Sequence, residues 1–258
     1  MPIKFTILGC GSSMGVPRAD GFWGKCNPSE KKNYRTRCSA MLSNGRLTIL
    51  FDTSPDIRHQ LLREKVKNID KVFYSHGHAD QTHGINDLRI FYLKNKKKID
   101  VYADSNTKKY LKKYFPYCFN DSKDYPAILK IKRIKNKETL NISKKDKISI
   151  KSIEVKHGSI DCLAFIINKS CAYASDINQI YKKDLKYFYN LNHLVIDCLR
   201  LTHHPSHFNL SDVISLVKKL KPKKTILTNL HSDLDYNYLL KILPKNVKPA
   251  YDGLSFFI

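Results

Sequence analysis

The sequence predicts an α/β protein, on the strength of three observations. Apolar runs of strand length recur along the 258 residues. Between many of them lie segments whose apolar positions follow the 3.6-residue helical period. No stretch has the composition of a linker between domains. We therefore expect a single domain, residues 1–258, in which strands and helices alternate.

The first predicted elements are a strand over residues 3–8 and a glycine-rich loop over 9–17. Such a loop lets backbone N–H groups approach an anion closely, although a tight turn after the strand is an equally good explanation. A hairpin follows around Asn44-Gly45, a dipeptide typical of two-residue turns. Ser54 then has the residue type and position to cap a helix that begins at Pro55.

The next predicted strand, residues 72–74, runs directly into a cluster of potential metal ligands. In an extended backbone, residues two apart point to the same side, so His76 and His78 can bind one ion together. Asp80 can then face a neighbouring ion. Histidine is the commonest ligand of zinc-like ions, and several imidazoles with a carboxylate in so short a stretch are poorly explained as a solvated loop.

Beyond this cluster the pattern continues to alternate. The predicted elements are, in order, strand 99–102, helix 105–114, strand 128–132, strand 148–156, a hairpin of 163–167 and 171–174, helix 178–187, strand 193–200, helix 211–220, strand 225–231 and a final helix. Three of the strands or hairpins end in a polar residue of ligand type, namely His157, Asp176 and His231. A fourth polar strand end, Asp52, is read equally well as a turn residue or as a support for a ligand histidine.

Composition constrains the function less than the motifs do. The net charge of +23 suggests an anionic partner, but lysine is spread over nearly every segment instead of forming one patch. The lysine- and tyrosine-rich stretch 108–117 is read as a solvated amphipathic helix. Seven scattered cysteines without a Cys-x-x-Cys pair are expected to be reduced, mostly buried thiols.

The cluster resembles the His-x-His-x-Asp-His-x-x-Gly signature of the metallo-β-lactamase superfamily, with His76, His78, Asp80 and Gly84 in register. One position departs, because Gln81 stands where the signature has its third histidine. An amide oxygen is a poorer zinc ligand than imidazole, so the second metal position is expected to be weakened. His83 is a possible substitute.

The resemblance extends over the whole chain and narrows to one branch. That branch contains the phosphoribosyl cyclic-phosphate phosphodiesterase and relatives of the pyrroloquinoline-quinone biosynthesis protein B. The segments that carry this resemblance are 9–17, 35–39, 52–56, 82–89, 204–208 and 230–236. The phosphodiesterase has an additional structural zinc bound by cysteines, whereas this chain has only Cys26 in the corresponding loop.

The resemblance implies a four-layer αββα sandwich of the metallo-β-lactamase type, with the site at one edge of two sheets. It also implies two divalent metal ions, zinc or manganese. Their implied ligands are His76, His78 and His157 for one ion, Asp80 and His231 for the second, and Asp176 bridging both.

The expected function is that of a metal-dependent hydrolase, foremost a phosphodiesterase for a small phosphate ester, with cyclic esters included. In such enzymes a hydroxide held by the two ions attacks phosphorus. Asp80 and His207 are the expected catalytic residues, with His207 as the acid that protonates the leaving group and His204 as its substitute. Substrate-binding residues are expected to be His204, His207, Arg35 and Arg37, the arginines through forked hydrogen bonds to phosphate.

Two other functions stay open. A ribonuclease of the tRNA 3′-processing type shares the metal pattern, although no segment resembles its tRNA-binding arm, so RNA is not the favoured partner. The other alternative is a metal-binding protein without turnover, in which the second metal site is degenerate. We further expect a cytoplasmic protein without a membrane partner, and a homodimer is the usual state of relatives.

Overall fold

The computed structural model describes residues 2–123 and 125–258. Its centre is a pair of seven-stranded sheets. The strands are β1 (Lys4–Gly9), β2 (Ser39–Ser43), β3 (Thr48–Phe51), β4 (Lys71–Phe73), β5 (Ile99–Ala103), β6 (Leu129–Arg133), β7 (Thr139–Ser143), β8 (Ile148–His157), β9 (Ile160–Ile167), β10 (Cys171–Ala174), β11 (His193–Asp197), β12 (Lys224–Thr228), β13 (Val247–Pro249) and β14 (Ser255–Phe257). One sheet has the order β14-β1-β2-β3-β4-β5-β6, and the other has the order β13-β12-β11-β10-β9-β8-β7.

Short helices cover the outer faces of the two sheets. They are α1 (Ile57–Arg63), α2 (Ala79–Thr82), α3 (Arg89–Asn95), α4 (Ser105–Tyr114), α5 (Pro116–Phe119), α6 (Leu210–Leu220) and α7 (Tyr236–Ile242), with 3-10 turns at Lys31–Asn33, Ile85–Leu88 and Lys182–Tyr187. The result is the αββα arrangement, so the expected fold class is confirmed. None of the helices in the described ranges has the length and apolar character needed to span a bilayer.

The principal core lies between the two sheets and is rich in aromatic rings. Phe51 is fully buried and packs against four rings, with centroid distances of 5.3 Å to Phe165, 5.7 Å to Tyr173 and 5.9 Å to both Phe5 and Phe73. Aromatic pairs at these distances stabilise a core beyond the area that they bury. A second apolar cluster, which includes Leu61, Phe91 and Leu111, fills the space between the first sheet and its helices.

Parallel pairing aligns the strand ends that carry polar residues. Strands β3 to β6 are parallel to one another, and so are strands β10 to β13. The carboxyl ends of parallel strands lie at the same edge of a sheet, where an open pocket forms. The two sheets are linked at this edge by hydrogen bonds from Leu163 N to Ser75 O, 2.9 Å, and from Leu230 N to Cys10 O, 2.8 Å.

Most expected elements occur within one or two residues of their predicted bounds, and helix 105–114 is confirmed at both ends. Three expectations are corrected. Helix α1 starts at Ile57, and Ser54 directs its hydroxyl to Gln60 instead of capping. Residues 178–187 form only a 3-10 turn at their end. Helix α6 is capped by the side chain of Asn209, which accepts a hydrogen bond from Asp212 N at 3.0 Å, and not by Ser211.

The loop that carries the histidines is held against the start of α1 by a close contact at Gly84. A Cβ atom there would lie 2.0 Å from the carbonyl oxygen of Ser54 and 2.5 Å from a methyl carbon of Ile57. Gly84 has φ −86°, which any residue can adopt, so glycine is required here for space. All seven cysteines are buried free thiols, as expected.

Candidate metal centre

Three imidazoles meet at the open edge of the sheets. His76 and His78 lie on the extended segment after β4, and His157 is the last residue of β8. Their ring centroids are 4.4 to 5.2 Å apart. Nε2 of His76 and Nδ1 of His78 are separated by 2.8 Å. The sequence cluster and the distant strand end are thus brought together.

The outer nitrogens of two of these rings are fixed by neighbouring groups. Nδ1 of His76 lies 2.9 Å from Ser75 Oγ, and the same Ser75 donates its backbone N–H to Asp52 Oδ1 at 2.7 Å. Nδ1 of His157 lies 2.7 Å from the carbonyl oxygen of Ser206. Each contact leaves Nε2 directed inward. Asp52 therefore supports the His76 ring through Ser75, without touching the ring itself.

The protonation of these rings suits a metal ligand. Burial lowers the pKa of His76 well below its ordinary value, and it lowers the pKa of His157 to about 4, with the neighbouring histidines adding to both effects. Both rings are therefore neutral at physiological pH, the form in which imidazole binds a metal. The three imidazoles, with mutually close ring nitrogens, fit a zinc-like divalent ion.

Carboxylates lie beside the imidazoles. Asp176 follows β10 and is buried, and its pKa is raised well above the usual range by burial and by the nearby charges of Asp80 and Asp197. Burying several acidic groups together is unfavourable unless a cation compensates them. Asp176 and Asp80 both accept hydrogen bonds from Gln81 Nε2, at 3.0 and 3.3 Å. The donor set of the cavity therefore fits divalent cations.

His207 forms a pair with the buried carboxylate of Asp197. The Nδ1 atom of His207 lies 2.6 Å from Asp197 Oδ2. Burial by itself lowers the pKa of His207, but Asp197, Asp176 and Asp80 outweigh that effect and raise it to about 9. Burial raises the pKa of Asp197 to about 6, against the opposing effect of His207. The pair leaves Nε2 of His207 as the ring nitrogen available to the cavity.

The remaining expected ligands line the same cavity, which has a volume of about 280 Å³. Its walls are formed by Ser12, Ser13, Met14, His78, Asp80, His157, Asp176, Leu199, Arg200, His204, Ser206, His207, Asn229 and His231. Among the described residues, two sets have ligand atoms within 4.8 Å of one another, namely His76, His78 and His157, and His157, Asp176 and His207. Asp80 and His231 belong to neither set.

Two of the expected substrate-binding residues, both arginines, make other contacts in the structure. Arg35 is buried and donates to Asn33 Oδ1, Leu234 O and His231 O at 3.0, 2.7 and 3.3 Å, so its guanidinium cross-links loops of the fold. Arg37 forms a forked pair with Asp56, with bonds of 2.7 and 2.6 Å. Neither arginine lines the cavity. The expectation that they bind a substrate phosphate is corrected, because Arg35 is buried in contacts of the fold and Arg37 is paired with Asp56.

His83 does not replace the missing third histidine. Its side chain is exposed, lies 3.3 Å from the hydroxyl of Tyr110 and packs edge-on against Phe115, 5.5 Å between ring centroids. The physical reason is that residues 79–82 form a helical turn, which directs positions 81 and 83 to different sides.

Two residues of the site were missed by the sequence reasoning. Asp197 ends β11 and orients His207. Asn229 follows β12, and its Nδ2 lies 3.1 Å from His207 Nδ1, 3.3 Å from Asp197 Oδ1 and 3.4 Å from Asp176 Oδ1. In the structure both lie at the ends of apolar strands, but the predicted strands 193–200 and 225–231 ran past them, so the strand-end rule did not single them out.

Comparison with known proteins gives a family and several related structures. The model of the beta-lactamase superfamily domain matches residues 47–229. A crystal structure of a new diphosphatase from the PhnP family is 31% identical, with a TM-score of 0.91, and the match covers 100% of this chain and 98% of that one. Zn²⁺-bound PqqB from Methylobacterium extorquens superimposes with a TM-score of 0.79 at 17% identity, over 99% and 100% of the two chains.

Two further matches are to another solved structure and to a longer protein. Human tRNase Z, short form, has a TM-score of 0.70 at 15% identity, over 98% of each chain, which shows a shared fold. A Porphyromonas gingivalis protein named octanoyltransferase is 27% identical over 260 residues, covering 99% of this chain and 52% of the relative. The chain thus spans about half the length of that curated relative.

Proposed function

The chain belongs to the β-lactamase superfamily and has the metallo-β-lactamase fold, and from that premise we propose that it is a metal-dependent phosphodiesterase for small phosphate esters, including cyclic ones. The observation that carries the proposal is that His76, His78 and His157 meet beside a cavity lined by Asp80, Asp176 and His207, the last of which is held by buried Asp197. The superfamily is one of hydrolases, and these groups suit hydrolysis at phosphorus.

The residues divide into a metal-binding group and a proton-donating group. His76, His78 and His157 would hold one divalent ion, and Asp80, Asp176 and His231 would hold a second. When bound, such ions would lower the pKa of water and neutralise charge on the phosphoryl oxygens. Asp52 and Ser75 keep the His76 ring in the orientation that directs Nε2 inward.

His207 is placed to protonate the leaving oxygen. Its Nδ1 is held by Asp197, which fixes the ring and favours the protonated form that an acid needs. Nε2 then carries a proton toward the cavity. Asn229 donates toward the same carboxylate and prevents Asp197 from turning away. His204 is the neighbouring ring, 5.0 Å from His207 between centroids, and lines the same wall.

The size and charge of the cavity favour a small anionic substrate. Its volume is about 280 Å³, near the lower limit for small-molecule sites. Arg200 lies in its wall and bonds only to the carbonyl oxygens of Thr202 and His203, so its charge is not neutralised by a carboxylate among the described residues. These features suit a phosphate ester better than a folded RNA.

A second candidate is hydrolysis of a diphosphate. It is favoured by the related structure described as a diphosphatase, which is 31% identical over nearly the full length of both chains. The same metal-binding residues would serve both reactions. The two differ in the leaving group, because a departing phosphate needs less protonation than an alkoxide.

The direct test is hydrolysis by the purified protein loaded with Mn²⁺ or Zn²⁺. We expect turnover of bis(p-nitrophenyl) phosphate and of adenosine 2′,3′-cyclic phosphate, and loss of both on treatment with EDTA. ADP serves as the diphosphate substrate. Cleavage of ADP without cleavage of either diester would favour the second candidate. Absence of all three activities in protein with a full metal complement would refute the proposed function.

The choice of variants controls for nonspecific damage. His157→Ala removes an expected ligand and should abolish turnover. His83→Ala removes a histidine of the same segment of the chain that lies outside the cavity, and it should retain turnover. A precursor tRNA assayed across salt concentrations tests the ribonuclease, whose binding would weaken steeply with salt.

A further inference from the structure

Gln81 occupies a central place in the metal centre. Its side chain is fully buried, and its Nε2 donates to Asp176 Oδ2 at 3.0 Å and to Asp80 Oδ2 at 3.3 Å. Its Oε1 atom has no hydrogen-bond partner among the described residues. An amide N–H group therefore lies between the two carboxylates that would bind the second ion.

This arrangement affects the two metal positions unequally. The N–H donor of Gln81 uses lone pairs of both carboxylates and so leaves fewer of them, and less negative charge, for a second ion. Its neutral amide oxygen replaces an imidazole as the fourth donor. The remaining donors to the second ion are Asp80, Asp176 and His231. Of these, Asp80 and His231 belong to neither set of close ligand atoms.

The first position does not depend on Gln81. Its three imidazoles are already in contact, with Nε2 of His76 2.8 Å from Nδ1 of His78. Two of the rings are fixed from behind, by Ser75 and by the carbonyl of Ser206. Preorganised ligands lose little freedom when the ion binds, which favours high affinity.

We propose that the two positions differ strongly in affinity, so that the resting protein holds one ion at His76, His78 and His157 and binds the second together with an oxyanion. The oxyanion is the phosphoryl group of the substrate, and in this respect the inference rests on the proposed function. An anionic oxygen supplies the donor that Gln81 fails to supply. It also adds negative charge that compensates the second cation.

The proposal has a thermodynamic consequence that can be measured without turnover. If an oxyanion strengthens binding of the second ion by some factor, the ion must strengthen binding of the oxyanion by the same factor. Phenylphosphonate is a suitable probe, because its carbon–phosphorus bond is not hydrolysed as an ester. The metal-free protein is titrated with Mn²⁺, with and without phenylphosphonate, by calorimetry and by electron paramagnetic resonance of free Mn²⁺.

We expect one strong site per chain and a second that is weaker by roughly tenfold or more, the size of effect typical for loss of a supporting metal-site group. Phenylphosphonate should strengthen the second site by a comparable factor and leave the first unchanged. Binding of phenylphosphonate should in turn be stronger with two equivalents of Mn²⁺ than with one. Two sites of equal affinity in the absence of phenylphosphonate would overturn the proposal.

Variants at position 81 separate its two contributions. Gln81→His supplies an imidazole and should bring the two affinities within about threefold, with a smaller effect of phenylphosphonate. Gln81→Met has similar length but neither donor nor oxygen ligand, so the affinities should stay unequal. Equal affinities in Gln81→Met would show that the amide N–H alone weakens the site, and would overturn the inference that an oxyanion supplies a donor that Gln81 lacks.

Two controls keep the result interpretable. His83→Gln changes an exposed residue of the same segment and should bind Mn²⁺ as the unmodified protein does. Thermal unfolding shows whether each variant is folded, and if Gln81→His is not, the phenylphosphonate titration of the unmodified protein decides alone. Unequal sites in a protein that hydrolyses no phosphoester would refute the proposed function and retain the metal asymmetry.

Discussion

Nδ1 of His207 and Oδ2 of Asp197 are 2.6 Å apart, in a pair that joins the loop after β11 to the carboxyl end of that strand. Asp197 is fully buried, whereas the ring of His207 reaches the cavity. A buried carboxylate behind an imidazole fixes the ring and its proton. The pair therefore determines which nitrogen of His207 faces a substrate.

This pair predicts how the effect of a substitution depends on the leaving group. His207→Gln should lower turnover of an alkyl or nucleoside phosphodiester by about 100-fold, the usual contribution of an acid. The effect on bis(p-nitrophenyl) phosphate should be much smaller, because p-nitrophenolate leaves without a proton. Rates for both substrates and the bound metal content are measured together.

The metal content distinguishes the two possible roles of His207. As an acid, its loss leaves the number of bound ions unchanged. The ligand atom of His207 also lies within 4.8 Å of those of His157 and Asp176. Loss of one equivalent of metal, with equal rate reductions for both substrates, would identify a ligand and contradict the prediction.

Ser75 connects Asp52 to the ligand ring of His76 through its hydroxyl, 3.1 Å from Asp52 Oδ1 and 2.9 Å from His76 Nδ1. We expect Ser75→Ala to weaken metal binding by about 10- to 100-fold, because the ring loses the group that orients it. Competition with a fluorescent chelator gives the affinity. Ser39→Ala is the matched control, since Ser39 is also buried but bonds only to the backbone carbonyls of Phe51 and Asp52. An equal loss in both variants would argue against an orienting role.

The aromatic core between the sheets predicts a large cost for truncating Phe51. Phe51→Ala should lower the free energy of unfolding by about 3–5 kcal/mol, because it removes a fully buried ring and leaves a cavity. Urea denaturation followed by fluorescence measures the change. Phe257→Ala removes a ring that is 63% exposed and should change stability little. Similar losses for the two variants would show that Phe51 is not part of a close-packed core.

The ion pairs of Asp100 should make part of the free energy of unfolding depend on pH. Burial raises the pKa of Asp100, but its bonds to Lys132 and Lys71, 2.7 and 3.3 Å, outweigh that effect and hold the pKa below its ordinary value. A carboxyl group with a lowered pKa in the folded state stabilises the fold above its unfolded pKa of about 3.9, and this stabilisation is lost as the pH falls. Asp100→Asn should remove that part of the pH dependence.

The measurement is the midpoint of urea unfolding from neutral pH down to about pH 3, which spans the unfolded pKa of aspartate. The combined variant Lys71→Met and Lys132→Met should flatten the profile in the same way. A profile for Asp100→Asn that parallels the unmodified protein would show that the lysine contacts do not alter the titration of Asp100.

Local pattern was sufficient for much of the fold. The hairpin at Asn44-Gly45, helix 105–114 and the strands leading to His157 and Asp176 follow from periodicity and turn chemistry. The strands at Thr139–Ser143, Val247–Pro249 and Ser255–Phe257 were not predicted. All three are short edge strands, and their pairing with a neighbouring strand, not their composition, makes them strands.

For the site, the sequence by itself determined the type of chemistry. The histidines and aspartates at strand ends, together with the resemblance that they carry, indicated a metal-binding α/β protein before any geometry was known. Spacing within one segment suffices for this, because extended backbone directs His76 and His78 to the same side.

Only the tertiary structure decided which polar residues belong to the site. It placed Asp197 and Asn229 beside His207, directed Arg35 and Arg37 into contacts of the fold and set Gln81 between Asp80 and Asp176. A charged or amide side chain binds whichever partner the folded chain brings within about 3 Å. That choice depends on residues far apart in the sequence, so no local pattern contains it.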